Sequence, residues 1–127
     1  MNKFFIALMV TTGIISTLAT PSAYAVKQDP NATVVNINNQ NTTEVYVDIR
    51  RVNDPLNTNC MPEMKLFPSD IKIIKYGDLQ ERCQNDTKFL IDAYGKTHTI
   101  VHTALLNSTP GNCLIEHHLL TIRITCG

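Results

Sequence analysis

Four histidines, four cysteines and a scattering of carboxylates are the side chains of this chain that could do chemistry. His98, His102, His117 and His118, with Glu116, offer the imidazole and carboxylate donors that zinc or copper accepts. Their spacing resists a single centre. On a strand His98 and His102 share a face but stand about 13 Å apart at ~3.3 Å per residue, too far for two ligands each ~2.1 Å from one metal. A site would have to draw His102 or His98 together with the last segment, which makes His102, Glu116, His117 and His118 the candidate metal ligands. The competing reading is four imidazoles hydrogen-bonded to nearby backbone and threonine hydroxyls.

Nucleophiles are scarce. Beyond residue 25 the serines are Ser69, in Pro-Ser-Asp, and Ser108, in Asn-Ser-Thr-Pro. Both are turn contexts, and neither lies in G-x-S-x-G. Carboxylate pairs such as Asp86 and Asp92 exist, but nothing in the spacing brings them to the separation that glycoside hydrolysis needs. No catalytic residue and no cofactor site is assigned, and an enzyme is unsupported.

The cysteines, Cys60, Cys83, Cys113 and Cys126, predict two disulfides and leave no thiolate. None of them forms the closely spaced C-x₂₋₄-C pair of a structural zinc site. Three pairings are open. Sequence neighbours are the simplest, yet a continuous strand over Leu114–Thr125 would put its ends roughly 40 Å apart and forbid Cys113–Cys126.

Met1-Asn2-Lys3, the apolar run Phe4–Ile15 and Ala23-Tyr24-Ala25 read as a signal peptide of bacterial type, cleaved after Ala25. The product would be secreted or periplasmic, with no stable membrane anchor. Removal of residues 1–25 leaves 102, a single domain over residues 26–127. Ten basic against eleven acidic residues then remain, a balance that suggests neither nucleic acid nor an anionic membrane as partner. The aromatic set is thin for a stacking platform, being Tyr46, Phe67, Tyr76, Phe89 and Tyr94 without tryptophan, with Phe67 and Phe89 assigned to the core. Four Asn-x-Ser/Thr sequons start at Asn31, Asn41, Asn85 and Asn107 and are read as coincidence in so Asn/Thr-rich a chain.

The elements that must position these groups are strands. In Thr43–Val52, Val45, Val47 and Ile49 alternate with Glu44, Tyr46, Asp48 and Arg50, one dry face against one wet face. Thr33–Asn38 is a second strand, with Val35 and Ile37 opposed to Val34. Lys65–Phe67 and Ile71–Tyr76 are two more, the latter with Ile71 and Ile73 on one side. Lys88–Leu106 reads as a hairpin about Gly95-Lys96, a two-residue turn that sets Ile91 opposite Ile100 and Ala93 opposite His98. Leu119–Cys126 closes the chain with Leu120, Ile122 and Ile124 on its apolar side, and Cys113–His118 either extends this strand or forms one helical turn.

Six or seven short antiparallel strands joined by polar turns predict a small all-β, disulfide-stapled sandwich of immunoglobulin-like type, with an open barrel as the alternative. The function expected is a non-enzymatic binding module for an unidentified protein, working through a sheet face or through the loops Asn53–Pro62 and Asn107–Asn112. The alternative is a small metal-binding protein or metal-dependent enzyme built on His98, His102, Glu116, His117 and His118.

Overall fold

The computed structural model describes residues 27–56 and 58–127, so the leader assigned to residues 1–25 lies outside it. Eight strands follow one another: β1 (Thr33–Asn39), β2 (Val45–Arg51), β3 (Met64–Leu66), β4 (Ile71–Lys75), β5 (Phe89–Tyr94), β6 (Val101–Leu106), β7 (Gly111–His118) and β8 (Thr121–Cys126). They form two four-stranded sheets, β4-β1-β7-β8 and β3-β2-β5-β6, packed face to face. The expected six or seven antiparallel strands are thus eight, and not all antiparallel: the second sheet is antiparallel throughout, but the first is mixed, because β1 and β7 run towards the same end and pair in parallel.

Alternation decides what is buried. Val45, Val47 and Ile49 are sealed in the core, where they meet Ile37, Ile74 and Ile115 of the first sheet and Phe89 and Ile91 of their own. On β1 both Val34 and Val35 are buried, because a register irregularity against β4 between Thr33 and Val35 breaks the strict alternation. Ile71 and Ile73 share a side as expected, and that side faces solvent while Ile74 faces in. Lys72 and Lys75 are exposed on this edge strand, charges of the kind that discourage strand addition.

Three expectations need correction. Phe67 is not core: β3 ends with Leu66 as its inward residue, opposite Val45, so Phe67 falls outside and is 54% exposed. The β5–β6 hairpin is four residues out of the expected register, with Ile91 opposite Ala104 and Ala93 opposite His102. Its connection runs from Gly95 to Ile100, with His98 rather than Gly95 taking the left-handed conformation (φ 59°). Tertiary contacts of the His98 ring overrode the local Gly-X turn signal. A four-residue slip is even, so Phe89, Ile91 and Ala93 still face the core, but Ile100 is left exposed. Finally, Leu120 is not on the apolar side of β8; it lies in the tight turn Leu119-Leu120 that folds β8 back on β7.

That turn answers the pairing question. Because β7 and β8 are a hairpin and not one strand, Cys113 stands opposite Cys126 and bonds to it across the sheet, with Cα atoms 4.1 Å apart. Cys60 bonds Cys83. No described cysteine is free. Two disulfides suit an oxidising, extracytoplasmic compartment.

Candidate functional site

The outer face of the β3-β2-β5-β6 sheet carries the densest polar constellation. Strand alternation turns Tyr46, Asp48 and Arg50 outward on β2, and the register sets Tyr94, Asp92 and Leu90 opposite them on β5. Val101, Thr103 and Leu105 of β6 continue the same three rows. The middle row is therefore Asp48–Asp92–Thr103, two carboxylates and a hydroxyl side by side.

Directly opposed like charges repel, so this arrangement needs compensation. Arg50 grips Asp92 with both arms, Nε donating to Oδ2 at 2.6 Å and Nη2 to Oδ1 at 3.0 Å, and Thr103 Oγ1 donates to Oδ1 at 2.6 Å. Burial pushes the Asp92 carboxyl up, since the residue is only 5% exposed, but the donors from Arg50, Asp48 and Thr103 outweigh it and hold the group below the usual range. Asp48 has the Tyr94 hydroxyl as donor at 3.0 Å and Arg50 nearby, and these do not offset its burial. Burial first, then its hydrogen bond and repulsion with Asp92, push it up to about 7. Its Oδ1 is buried with no donor in reach. A proton on Asp48 lets its carboxyl donate to Asp92, and below about 7 the two groups hold one proton between them.

Tyr94 links this row to the loops. Its hydroxyl lies 2.7 Å from Glu63 Oε1 and 3.0 Å from Asp48 Oδ2. One phenolic proton serves one acceptor at a time, and the shorter contact favours Glu63. Burial, then Glu63 and Asp48, raise the Tyr94 pKa. His98 closes the cluster from the β5–β6 connection, its ring 4.9 Å from Tyr46 and 4.7 Å from Tyr94. Its Nδ1 meets the Lys96 carbonyl at 2.9 Å and its Nε2 meets Glu63 Oε2 at 3.3 Å. These hydrogen bonds, Glu63's first, raise the His98 pKa; Tyr94 and then His98 hold Glu63 low. Beside the cluster lies a shallow concavity of about 410 Å³, lined by Asp48, Arg50, Asn59, Tyr94, Val101 and Thr103 among others.

The metal candidates are not assembled. His98 sits in a loop and not on a strand, paired with Glu63. His102 Nε2 is 3.1 Å from Thr121 Oγ1, and Glu116 faces Arg123 at 3.9 Å. His117 and His118 are consecutive on β7 and point to opposite sheet faces. Among the described residues no three His, Cys, Asp or Glu side chains converge as a metal ion requires.

Asp86 and Asp92 are likewise separated. Consecutive Arg51 and Arg50, pointing to opposite sheet faces, hold Asp86 (2.7 Å) and Asp92 respectively. Ser69 and Ser108 lie in turns, as expected. The loop Asn53–Pro62 is tied down: Cys60 is disulfide-bonded, its N–H donates to the Ile49 carbonyl, and Arg82 bridges Asp54 and the Asn59 carbonyl. Thr109, in the loop Asn107–Asn112, bonds the Tyr76 hydroxyl. Asn41 is buried, with its amide bonded to Thr43, which closes that sequon to sugar.

Sequence reasoning missed the Asp48–Asp92 pair. Its members belong to strands that are not neighbours in sequence, so only the β2–β5 register reveals it. Comparison with protein-family models, curated proteins and solved structures finds no match.

Proposed function

We propose that the mature chain is a secreted or periplasmic, non-enzymatic binding module of immunoglobulin-like architecture. It engages a protein partner through the outer face of the β3-β2-β5-β6 sheet. The observation that carries this reading is the layout of that face: a part-exposed Tyr46, stacked on the buried Tyr94 and tilted against the His98 ring, beside Arg50, with Val101 and Leu105 about half exposed alongside. Tyrosine and arginine set among apolar neighbours are the side chains on which protein interfaces concentrate their energy. Recognition is favoured over catalysis because the polar atoms are spent on one another: Asp92 on Arg50 and Thr103, Tyr94 on Glu63, His98 on Glu63 and the Lys96 carbonyl. Signal-peptide cleavage and bacterial export belong to the proposal; the two disulfides support the compartment.

The test is affinity capture from the source organism's extracellular milieu with the parent and with a Val101→Ser/Leu105→Ser variant. Both substitutions are at exposed positions and leave the core intact. A protein retained by the parent and lost from the variant is the expected result. Identical retention by both would remove this face from the interaction.

A further inference from the structure

His98 occupies a backbone conformation that its side chain must help to hold. It lies at φ 59° in the β5–β6 connection, where Lys96 to Ile100 are all exposed. The left-handed region is sparsely populated by residues other than glycine, although histidine enters it more readily than a branched side chain. Within the connection the His98 N–H donates to the Gly95 carbonyl at 3.0 Å, and the Thr97 and Thr99 hydroxyls bond each other. The His98 ring reaches further, to Glu63 in the segment before β3 and to the rings of Tyr46 and Tyr94.

Both ring nitrogens face acceptors. Nδ1 is 2.9 Å from the Lys96 carbonyl oxygen and Nε2 is 3.3 Å from Glu63 Oε2. A neutral imidazole has a single N–H, so in that form one of the two contacts sets a lone pair against an oxygen. The imidazolium donates to both. Glu63 is itself fixed from the other side, because its Oε1 accepts from the buried Tyr94 hydroxyl at 2.7 Å. The titratable groups that face the ring are therefore Glu63, Tyr46 of β2 and Tyr94 of β5. One step beyond lie Lys65, whose Nζ is 5.9 Å over the Tyr46 ring and which pairs with Glu44, and Asp48 behind the Tyr94 hydroxyl.

We propose that His98 is a proton-operated latch for the aromatic corner of this sheet face: as imidazolium it pins the 95–100 connection to Glu63 across Tyr46 and Tyr94, and as neutral imidazole it releases it. Two features suit a switch. The side chains of His98 and Glu63 are 45% and 38% exposed, so protons reach them, and a pair so open to water contributes little enough to leave the two states close in free energy. The charges are also arranged to favour the closed form: Glu63, then the Lys96 carbonyl, raise the His98 pKa, while the Tyr94 hydroxyl keeps Glu63 ionised. The closed corner is the ordered one, and His98 is one wall of the concavity beside Arg50. A partner met there is held more tightly on the acid side of the His98 transition, because the corner is then preorganised. That last step rests on the sheet-face reading; the latch does not.

The experiment is amide hydrogen exchange across residues 96–100 at about pH 6 and about pH 8.5, with the His98 ring followed by NMR over the same range. Exchange, taken relative to an unstructured peptide of the same sequence, should be at least about threefold faster at the higher pH, the scale of an exposed ion pair. The His98 ring should titrate above the ordinary 6.5, and Glu63→Gln should bring its midpoint down. His98→Asn, which accepts the left-handed backbone but carries no titrating group, should lose the step in exchange. A His98 ring that titrates at or below 6.5, equal protection at the two pH values, or the same step in His98→Asn would overturn the proposal. No partner is present in these measurements, so their outcome is independent of whether the sheet face captures a protein.

Discussion

Asp48 and Asp92 stand directly opposite each other on β2 and β5, and only one of them is clasped by an arginine. The pair therefore settles into unequal roles, an ionised Asp92 and an Asp48 that keeps its proton to about 7. This inequality makes the domain's stability a function of pH.

The sign follows from which state holds more protons. Asp48 is raised in the fold, so its contribution is full below its ordinary value of 3.8 and is lost as pH rises through about 7. His98 is also raised; its contribution is full below the ordinary 6.5 and is lost as pH rises through its folded value. Asp92 is lowered, so its contribution is present above 3.8 and is lost as pH falls through its folded value. Thermal melts should show greatest stability near about pH 4 and a decline from there to about pH 7, continued by His98. Asp48→Asn should flatten that decline and gain about 1 kcal/mol or more at the alkaline end. A parent protein most stable at about pH 8 would contradict the assignment.

Arg50→Ala leaves Asp92 buried without its counter-charge. The expected loss is about 3–5 kcal/mol in urea unfolding at neutral pH. Adding Asp92→Asn in the Arg50→Ala background should recover a large part of it, because the uncompensated charge is then gone. A double variant as unstable as Arg50→Ala alone would show that Arg50 acts through packing.

Ile91→Asp or Val47→Asp places an unpaired charge at a fully buried position in the shared core. Either should prevent folding under native conditions. Urea melts matching the parent would mean that the two sheets do not face each other as described.

Peptide mapping of the purified, oxidised protein should recover Cys60–Cys83 and Cys113–Cys126 with no titratable thiol. Replacing Cys113 and Cys126 together by serine should cost about 3 kcal/mol for a loop of this size. Two or more reactive thiols would undo the compartment argument.

Local pattern carried the strands and their faces. Val45, Val47 and Ile49 are buried because the alternation that marks them is the geometry of the pleat itself. The misreadings occur where a distant contact outweighed a local preference. His98 packs tilted against Tyr46 and Tyr94 and pulls the β5–β6 connection away from the two-residue turn that Gly95 advertises. The Leu119-Leu120 turn has no glycine, proline or asparagine to announce it, so β7 and β8 could be taken for one strand and the cysteine pairing stayed open. The Asp48–Asp92 row is a product of sheet register between segments far apart in sequence, which no spacing rule reaches.

The claim that the β3-β2-β5-β6 face meets a protein partner is tested most directly by photo-crosslinking. A photoreactive residue is placed at Val101 or Leu105 on that face, and in a control protein at Thr125 on the outer face of the other sheet. Incubated with the organism's extracellular proteins, the first two should yield a discrete adduct of one partner and the control none. Adducts from Thr125 alone, or from all three positions equally, would contradict the account.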